Sequence, residues 1–239
     1  SSDKNFSYVP EFTSTADADY LHICTNNTIF GTRLSEIPDH PNLIADMSSE
    51  IMSREIDVNK FAMIYAGAQK NLGPSGVVLA IIRKSILAEA KKDMPEIFNY
   101  QTIADKDSCL NTPPTFGIYM LLENFRWLER QGGIAAVEAI NERKTALIYN
   151  AIDQSNGFYT GTVTDIPNRS RMNITFTLPS EELTAQFIKE AADKGMFALK
   201  GYRSVGGIRA STYNAMPEAG CQALASFMKS FAEQAATNA

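Results

Sequence analysis

Lys70 lies in GAQKNLGPSG, residues 67–76, between two apolar runs of strand length, with Ala66, Gly67 and Ala68 leaving space around it. Small neighbours let a planar ligand approach the backbone. A lysine partly withdrawn from water loses preference for its charged form, so its amine becomes nucleophilic. That is what Schiff-base formation requires. A solvated loop lysine fits the same spacing. Asp46 ends the run LIAD, which puts a carboxylate at the C-terminal edge of a strand, where open α/β sheets bind ligands. The same aspartate would also serve as N-cap to the segment after it.

A small-residue-loop lysine with an upstream strand-end aspartate is the pair that pyridoxal-phosphate chemistry needs. The lysine bonds the aldehyde, and the aspartate keeps the pyridine nitrogen protonated. The pair alone is not specific. Arg209, in SVGGIRAST, could grip a carboxylate through two parallel hydrogen bonds, or form a rim salt bridge. NTPPTF, with Asn111 and Thr112, reads as a rigid turn with a helix starting near Pro114, or as donors for a phosphate at that helix N-terminus. His22 reads as a core histidine, and Tyr119, Met120, Phe125 and Trp127 read as core or interface packing.

The positioning elements follow from pattern. YLHICT at 20–25, LIADMS at 43–48, FAMIYA at 61–66 and VVLAIIR at 77–83 are strand-length apolar runs. The last two suit strands buried on both faces, in a sheet covered by helices. From Phe116 the period becomes helical, stopping at Gly132 and Gly133, and a second helix spans 134–153. The glycine pair divides the chain into a large-domain part, 1–132, and a small C-terminal domain, 133–239. In the tail, RMNITFTL predicts a strand, SEELTAQFIKEAADKG a capped helix, residues 196–212 two short strands around a turn, and residues 217–236 a closing helix. That is an α/β protein with an α+β tail.

Composition narrows the classes. The 239 residues are 44% apolar and 21% charged, as in globular proteins, and the net charge of -5 argues against a nucleic-acid footprint. No apolar run reaches the length of a bilayer span. Three cysteines without C-x-x-C spacing and two histidines fit neither a disulfide framework nor a metal centre, and suit a reducing compartment. The opening segment SSDKNFSYVPEF has no basic or apolar leader pattern, so no signal peptide is expected, and it reads as the middle of a longer chain. No G-x-G-x-x-G opens a helix after a strand, which sets dinucleotide binding low.

The strings NNTIFGT, ADMSSEIMSREIDV, IYAGAQKNLGPSGV, NTPPTFGIYM, NRSRMNITF and ALKGYRSVGGIRASTYNAMP together resemble the phosphoserine aminotransferase family, from about Tyr20 to the last helix. The resemblance implies a fold type I pyridoxal-phosphate enzyme: a large, mainly parallel-sheet domain plus a smaller α+β domain, cytoplasmic and homodimeric, with shared active sites. It implies amino transfer between glutamate and 3-phosphohydroxypyruvate in serine biosynthesis, and in many bacteria a role in pyridoxine synthesis. By resemblance, Lys70 is the Schiff-base and proton-transfer lysine and Asp46 the pyridine-nitrogen partner. Thr28 contacts the ring and Gln69 the cofactor phosphate, while Asn111 and Thr112 reach the phosphate of the cofactor in the neighbouring subunit. Arg209 holds the substrate α-carboxylate. Tyr202 and Arg203 match the substrate-phosphate position, with Tyr202 standing where many members carry His.

The family's N-terminal third has no counterpart in these residues. It carries the Gly-rich phosphate loop, the aromatic stacked on the ring and further arginines, so this chain alone is expected to be inactive. The rival readings are another fold type I enzyme, such as an alanine–glyoxylate-type aminotransferase or a cysteine desulfurase, and a cofactor-free fragment that keeps only a dimerisation surface.

Overall fold

The computed structural model describes residues 2–4, 6–15, 17–89, 91 and 93–237. Ser1 and Asn5, in the segment read above for a leader, lie outside the described residues, as do 238 and 239 at the end of the chain. The first sheet joins β1 (Leu21–Cys24), β2 (Leu43–Asp46), β3 (Met63–Gly67) and β4 (Val78–Ile82) in that order. The first two pairings are parallel and the last is antiparallel. Ile23, Leu43, Ala45, Ile64 and Ala66 share one face and form a core with Met47, Ile51, Phe61 and Leu72. Successive side chains on a strand point to opposite faces, so His22, Cys24, Ile44, Asp46, Met63 and Tyr65 line the other face, which is more open.

That arrangement corrects two expectations. β3 alternates between buried and half-buried residues, so it is not enclosed on both faces. β4 is further from the expectation, with Val78 67% exposed and Ile81 42% exposed. It is a sheet-edge strand with no strand beyond it among the described residues, so its apolar run is not enclosed. His22 also departs from its reading as a core residue, since it stands exposed on the open face.

Two short helices that sequence pattern did not indicate follow, α1 (Lys84–Ala88) and α2 (Tyr100–Asp105). Then come α3 (Thr115–Arg130) and α4 (Gly133–Asp153), separated by a break at Gly132, whose φ of +98° is left-handed. Apolar α4 positions Val137, Ile148 and Ile152 recur at helical spacing and are buried, but so are Asn141 and Lys144 on the same side. The stripe on α3 divides: Tyr119 and Met120 are exposed, whereas Phe125 packs on the first core.

A second, antiparallel sheet orders β5 (Thr160–Gly161), β6 (Asn173–Thr177) and β7 (Ile208–Ser211). α5 (Glu181–Asp193) is capped by Ser180, whose side chain accepts from the Leu183 amide, and α6 (Glu218–Thr237) closes the chain. Ile148, Tyr159, Phe176, Phe187, Met228 and Phe231 lie at the centre of this second core. Residues 196–212 hold one strand, not the two expected. In place of the other strand, a single antiparallel bridge joins Lys200 to Ile208 around a turn, with Ala198, Gly206 and Gly207 at positive φ and the Gly201 amide donating to the Gly207 carbonyl at 2.8 Å. No helix among the described residues is long and apolar enough to cross a membrane.

Candidate active site

Strand register aligns Cys24, Asp46 and Tyr65 across β1, β2 and β3 at the C-terminal ends of the parallel strands. Asp46 does not cap a helix, because turns follow it; its Oδ1 accepts from the Ser48 amide at 2.8 Å. The Ser48 hydroxyl in turn accepts from the Gly67 amide at 3.0 Å, tying the aspartate turn to the start of the lysine loop.

Lys70 is half-buried in that loop, and its Nζ donates to Thr28 Oγ1 at 2.8 Å. Desolvation pushes the ammonium below the usual lysine range; the Arg209 charge pushes the same way, while Asp46 and Cys24 oppose it. The loop is held by its next residue. Asn71 is buried, its Oδ1 accepts from the Asn214 amide at 3.1 Å, and its Nδ2 donates to the Ile51 carbonyl at 3.0 Å. Asn124 on α3 donates to the Asn71 carbonyl at 2.6 Å. Lys70 thus projects from a backbone fixed by the first core, by α3 and by the segment after β7.

Arg209 on β7 approaches from the second sheet, and its Nη1 donates to the Thr28 carbonyl at 3.4 Å. Its Nε is buried and meets no acceptor among the described residues. Gln69 folds its amide over Gly67, where an added Cβ would lie 2.6 Å from Gln69 Oε1. Thr28, Asp46, Gln69, Lys70 and Arg209 therefore gather at one end of the first sheet. Asn111 and Thr112 do not join them: both are exposed ahead of α3, and among the described residues the Asn111 side chain donates only to the Thr112 carbonyl. Tyr202 and Arg203 are exposed in the loop before β7, without a hydrogen bond to this group.

Several contributors escaped the sequence reading. The buried Asn26 donates to Ser49 Oγ at 2.8 Å and to Asn173 Oδ1 at 2.9 Å, linking the end of β1 to β6. Asn141 donates to Asn214 Oδ1 at 2.9 Å. Lys144, fully buried, donates to the carbonyls of Tyr213 at 2.7 Å and Met216 at 3.2 Å, just after the strand that carries Arg209. A polar residue on the buried stripe of α4 was the available signal. His22 and Tyr65 were missed because their pairing spans three strands.

The donor set fits a flat cofactor that bears an aldehyde, a ring nitrogen and a phosphate. Lys70 offers an amine of lowered basicity, Asp46 an anchored carboxylate and Gln69 an amide over a glycine. Arg209 adds a cation with an unpartnered nitrogen for a carboxylate substrate. No group of three or more potential metal ligands occurs among the described residues.

Residues 11–224 match the model of the family described as aminotransferase class-V. Phosphoserine aminotransferase of Bacillus subtilis (strain 168) is 53% identical over 233 residues, covering 96% of this chain and 65% of that relative. Among solved structures, phosphoserine aminotransferase from Bacillus circulans subsp. alkalophilus has a TM-score of 0.95 at 48% identity, covering 98% of this chain and 66% of that one. The PLP-bound phosphoserine aminotransferase from Trichomonas vaginalis has a TM-score of 0.86 at 39% identity, covering 91% and 62%. The chain thus spans just under two thirds of the length of the relatives it matches.

Proposed function

Since the chain belongs to the class-V aminotransferase family, we propose that it is the lysine-bearing part of a pyridoxal-phosphate transaminase. In this reading it moves the amino group between L-glutamate and 3-phosphohydroxypyruvate, giving phosphoserine. The observation that carries the reading is Lys70, an amine of lowered basicity beside Thr28, at the end of the sheet that carries Asp46.

Bound here, pyridoxal phosphate supplies a carbonyl for the amine and a ring that withdraws electrons from the substrate Cα. Asp46, oriented by the Ser48 amide, favours positive charge on a ring nitrogen set against it. Gln69 supplies an amide for the cofactor phosphate, and Thr28 a hydroxyl on the ring. Arg209 anchors the α-carboxylate common to both substrates, so one site serves both half-reactions. With glutamate held in the site, Lys70 would take the proton from the substrate Cα as general base and, as general acid, deliver one to the cofactor's aldehyde-derived carbon.

A homodimer in the cytoplasm goes with this reading, with Asn111 and Thr112 reaching the partner's cofactor phosphate and Tyr202 and Arg203 serving the substrate phosphate. So do the parts 1–132 and 133–239 as large-domain segment and small domain. The exposure of Phe116, Ile118, Tyr119 and Leu122 on α3 supports an apolar interface there.

The test is borohydride reduction with added pyridoxal phosphate and peptide mass mapping, with turnover of competing oxo acids measured on the chain completed by the N-terminal third its relatives carry. A phosphopyridoxyl group confined to Lys70 and preference for a phosphorylated 2-oxo acid are expected. Wild-type trapping on some other lysine, or full transaminase activity in Lys70→Ala, would falsify the assignment.

A further inference from the structure

On the open face of the first sheet, a hydrogen-bonded pair arches over β2. His22 Nε2 lies 3.0 Å from the Tyr65 hydroxyl, with ring centroids 6.0 Å apart and planes at 24°. Tyr65 is the register partner of Asp46. The two side chains therefore share one face, and desolvation, with the Asp46 charge after it, pushes the phenol above the usual tyrosine range. An ionised carboxylate only accepts, and a phenol has one proton to give. A neighbouring carboxylate draws that proton toward itself, which leaves the tyrosine oxygen to accept, and the group facing it at 3.0 Å is His22 Nε2.

We propose that His22 and Tyr65 are positioning residues for Asp46: His22, as its Nε2–H form, donates to Tyr65, which donates to the carboxylate. The proposal rests on the cofactor reading above. The Ser48 amide and the Tyr65 hydroxyl then hold the carboxylate from two directions and leave acceptor sites free for the ring nitrogen. Two donors fix its orientation and favour the anion, which a cationic ring nitrogen needs as partner. His22 is exposed at the outer end of the chain of bonds, so its contribution passes through Tyr65.

The discriminating probe is a pyridoxal-phosphate analogue whose ring nitrogen is replaced by C–H. Asp46 acts on that nitrogen, so the wild-type chain should bind pyridoxal phosphate more tightly than the analogue. Tyr65→Phe should cut this preference about tenfold, a loss of about 1.4 kcal/mol, and His22→Leu about threefold. His22→Gln, which keeps an N–H donor, should retain it, and His22→Leu added to Tyr65→Phe should cost nothing further. Equal weakening of both ligands, or an unchanged preference, overturns the positioning role, because a merely structural change would not single out the ring nitrogen. Nitrogen-15 NMR of the cofactor-free chain gives an independent readout. His22 should be protonated on Nε2 in the wild type and shift toward a tautomer mixture in Tyr65→Phe. A His22 signal indifferent to Tyr65→Phe overturns the relay while leaving the cofactor reading intact. A wild-type chain that binds neither ligand even when completed by the N-terminal third its relatives carry overturns the reading, and the positioning role with it.

Discussion

Lys70 Nζ donates to the Thr28 hydroxyl at 2.8 Å, and the carbonyl of the same threonine accepts from Arg209 at 3.4 Å. One residue therefore meets both the Lys70 amine and the Arg209 guanidinium, the two groups proposed to bond the cofactor and the substrate carboxylate. An oxygen that accepts from an ammonium favours its charged form. Thr28→Val should lower the Lys70 pKa beyond its present depression. The pH dependence of amine labelling at Lys70, read by mass spectrometry, checks this, and an upward movement would contradict it.

Asp46 acts on Lys70 in the same direction through its charge. Asp46→Asn should again move the Lys70 labelling midpoint down. The loss of the carboxylate should also remove the preference for pyridoxal phosphate over its ring-carbon analogue. Thr28→Val should leave that preference in place, which separates the two effects.

Gly67 tests the Gln69 amide without disturbing the core. An added Cβ would lie 2.6 Å from Gln69 Oε1, the far end of a flexible side chain, so the amide moves and the backbone stays. Gly67→Ala should leave Tm nearly unchanged while weakening pyridoxal phosphate about tenfold, near 1.4 kcal/mol. The dephosphorylated aldehyde should be much less affected. Equal losses for both compounds would argue against a phosphate contact.

Asn71 holds the lysine loop through both ends of its side chain. Asn71→Leu leaves the buried Asn214 amide and Ile51 carbonyl without these partners, at a cost of about 3 kcal/mol. Denaturant unfolding should show that loss. Borohydride trapping at Lys70 should fall even under conditions where the variant remains folded.

Lys144 gives the fold a pH signature. Burial pushes its ammonium down to about 8 from the ordinary 10.5. Between those values the unfolded chain binds more protons than the folded one, so this group's contribution to stability rises with pH and is lost as pH falls through 8. The buried tyrosines Tyr149 and Tyr159, whose phenols burial pushes up, act with the opposite sign above pH 10. The informative window is therefore pH 8 to 10. Lys144→Met should remove a slope of up to about 1.4 kcal/mol per pH unit there, measured by denaturant unfolding at each pH. An unchanged slope would place the titration elsewhere.

Much of this protein was legible along the chain because the information was local. The LIAD run puts a carboxylate at a strand end, GAQKN surrounds a lysine with small residues, and SEEL carries its own N-cap; each depends on neighbours a few residues away. The reading failed where an apolar run said nothing about what would cover it, as at Val78–Ile82, and where positive φ at Ala198, Gly206 and Gly207 bent a segment that looked extended. Only the tertiary structure decided that Lys70 meets Thr28 from 42 residues away, that Arg209 reaches the same threonine across 181, and that His22 pairs with Tyr65 over an intervening strand. Such contacts leave no period in the sequence. They arise because parallel strands align distant residues in register and because buried asparagines must find partners wherever the packed chain provides them.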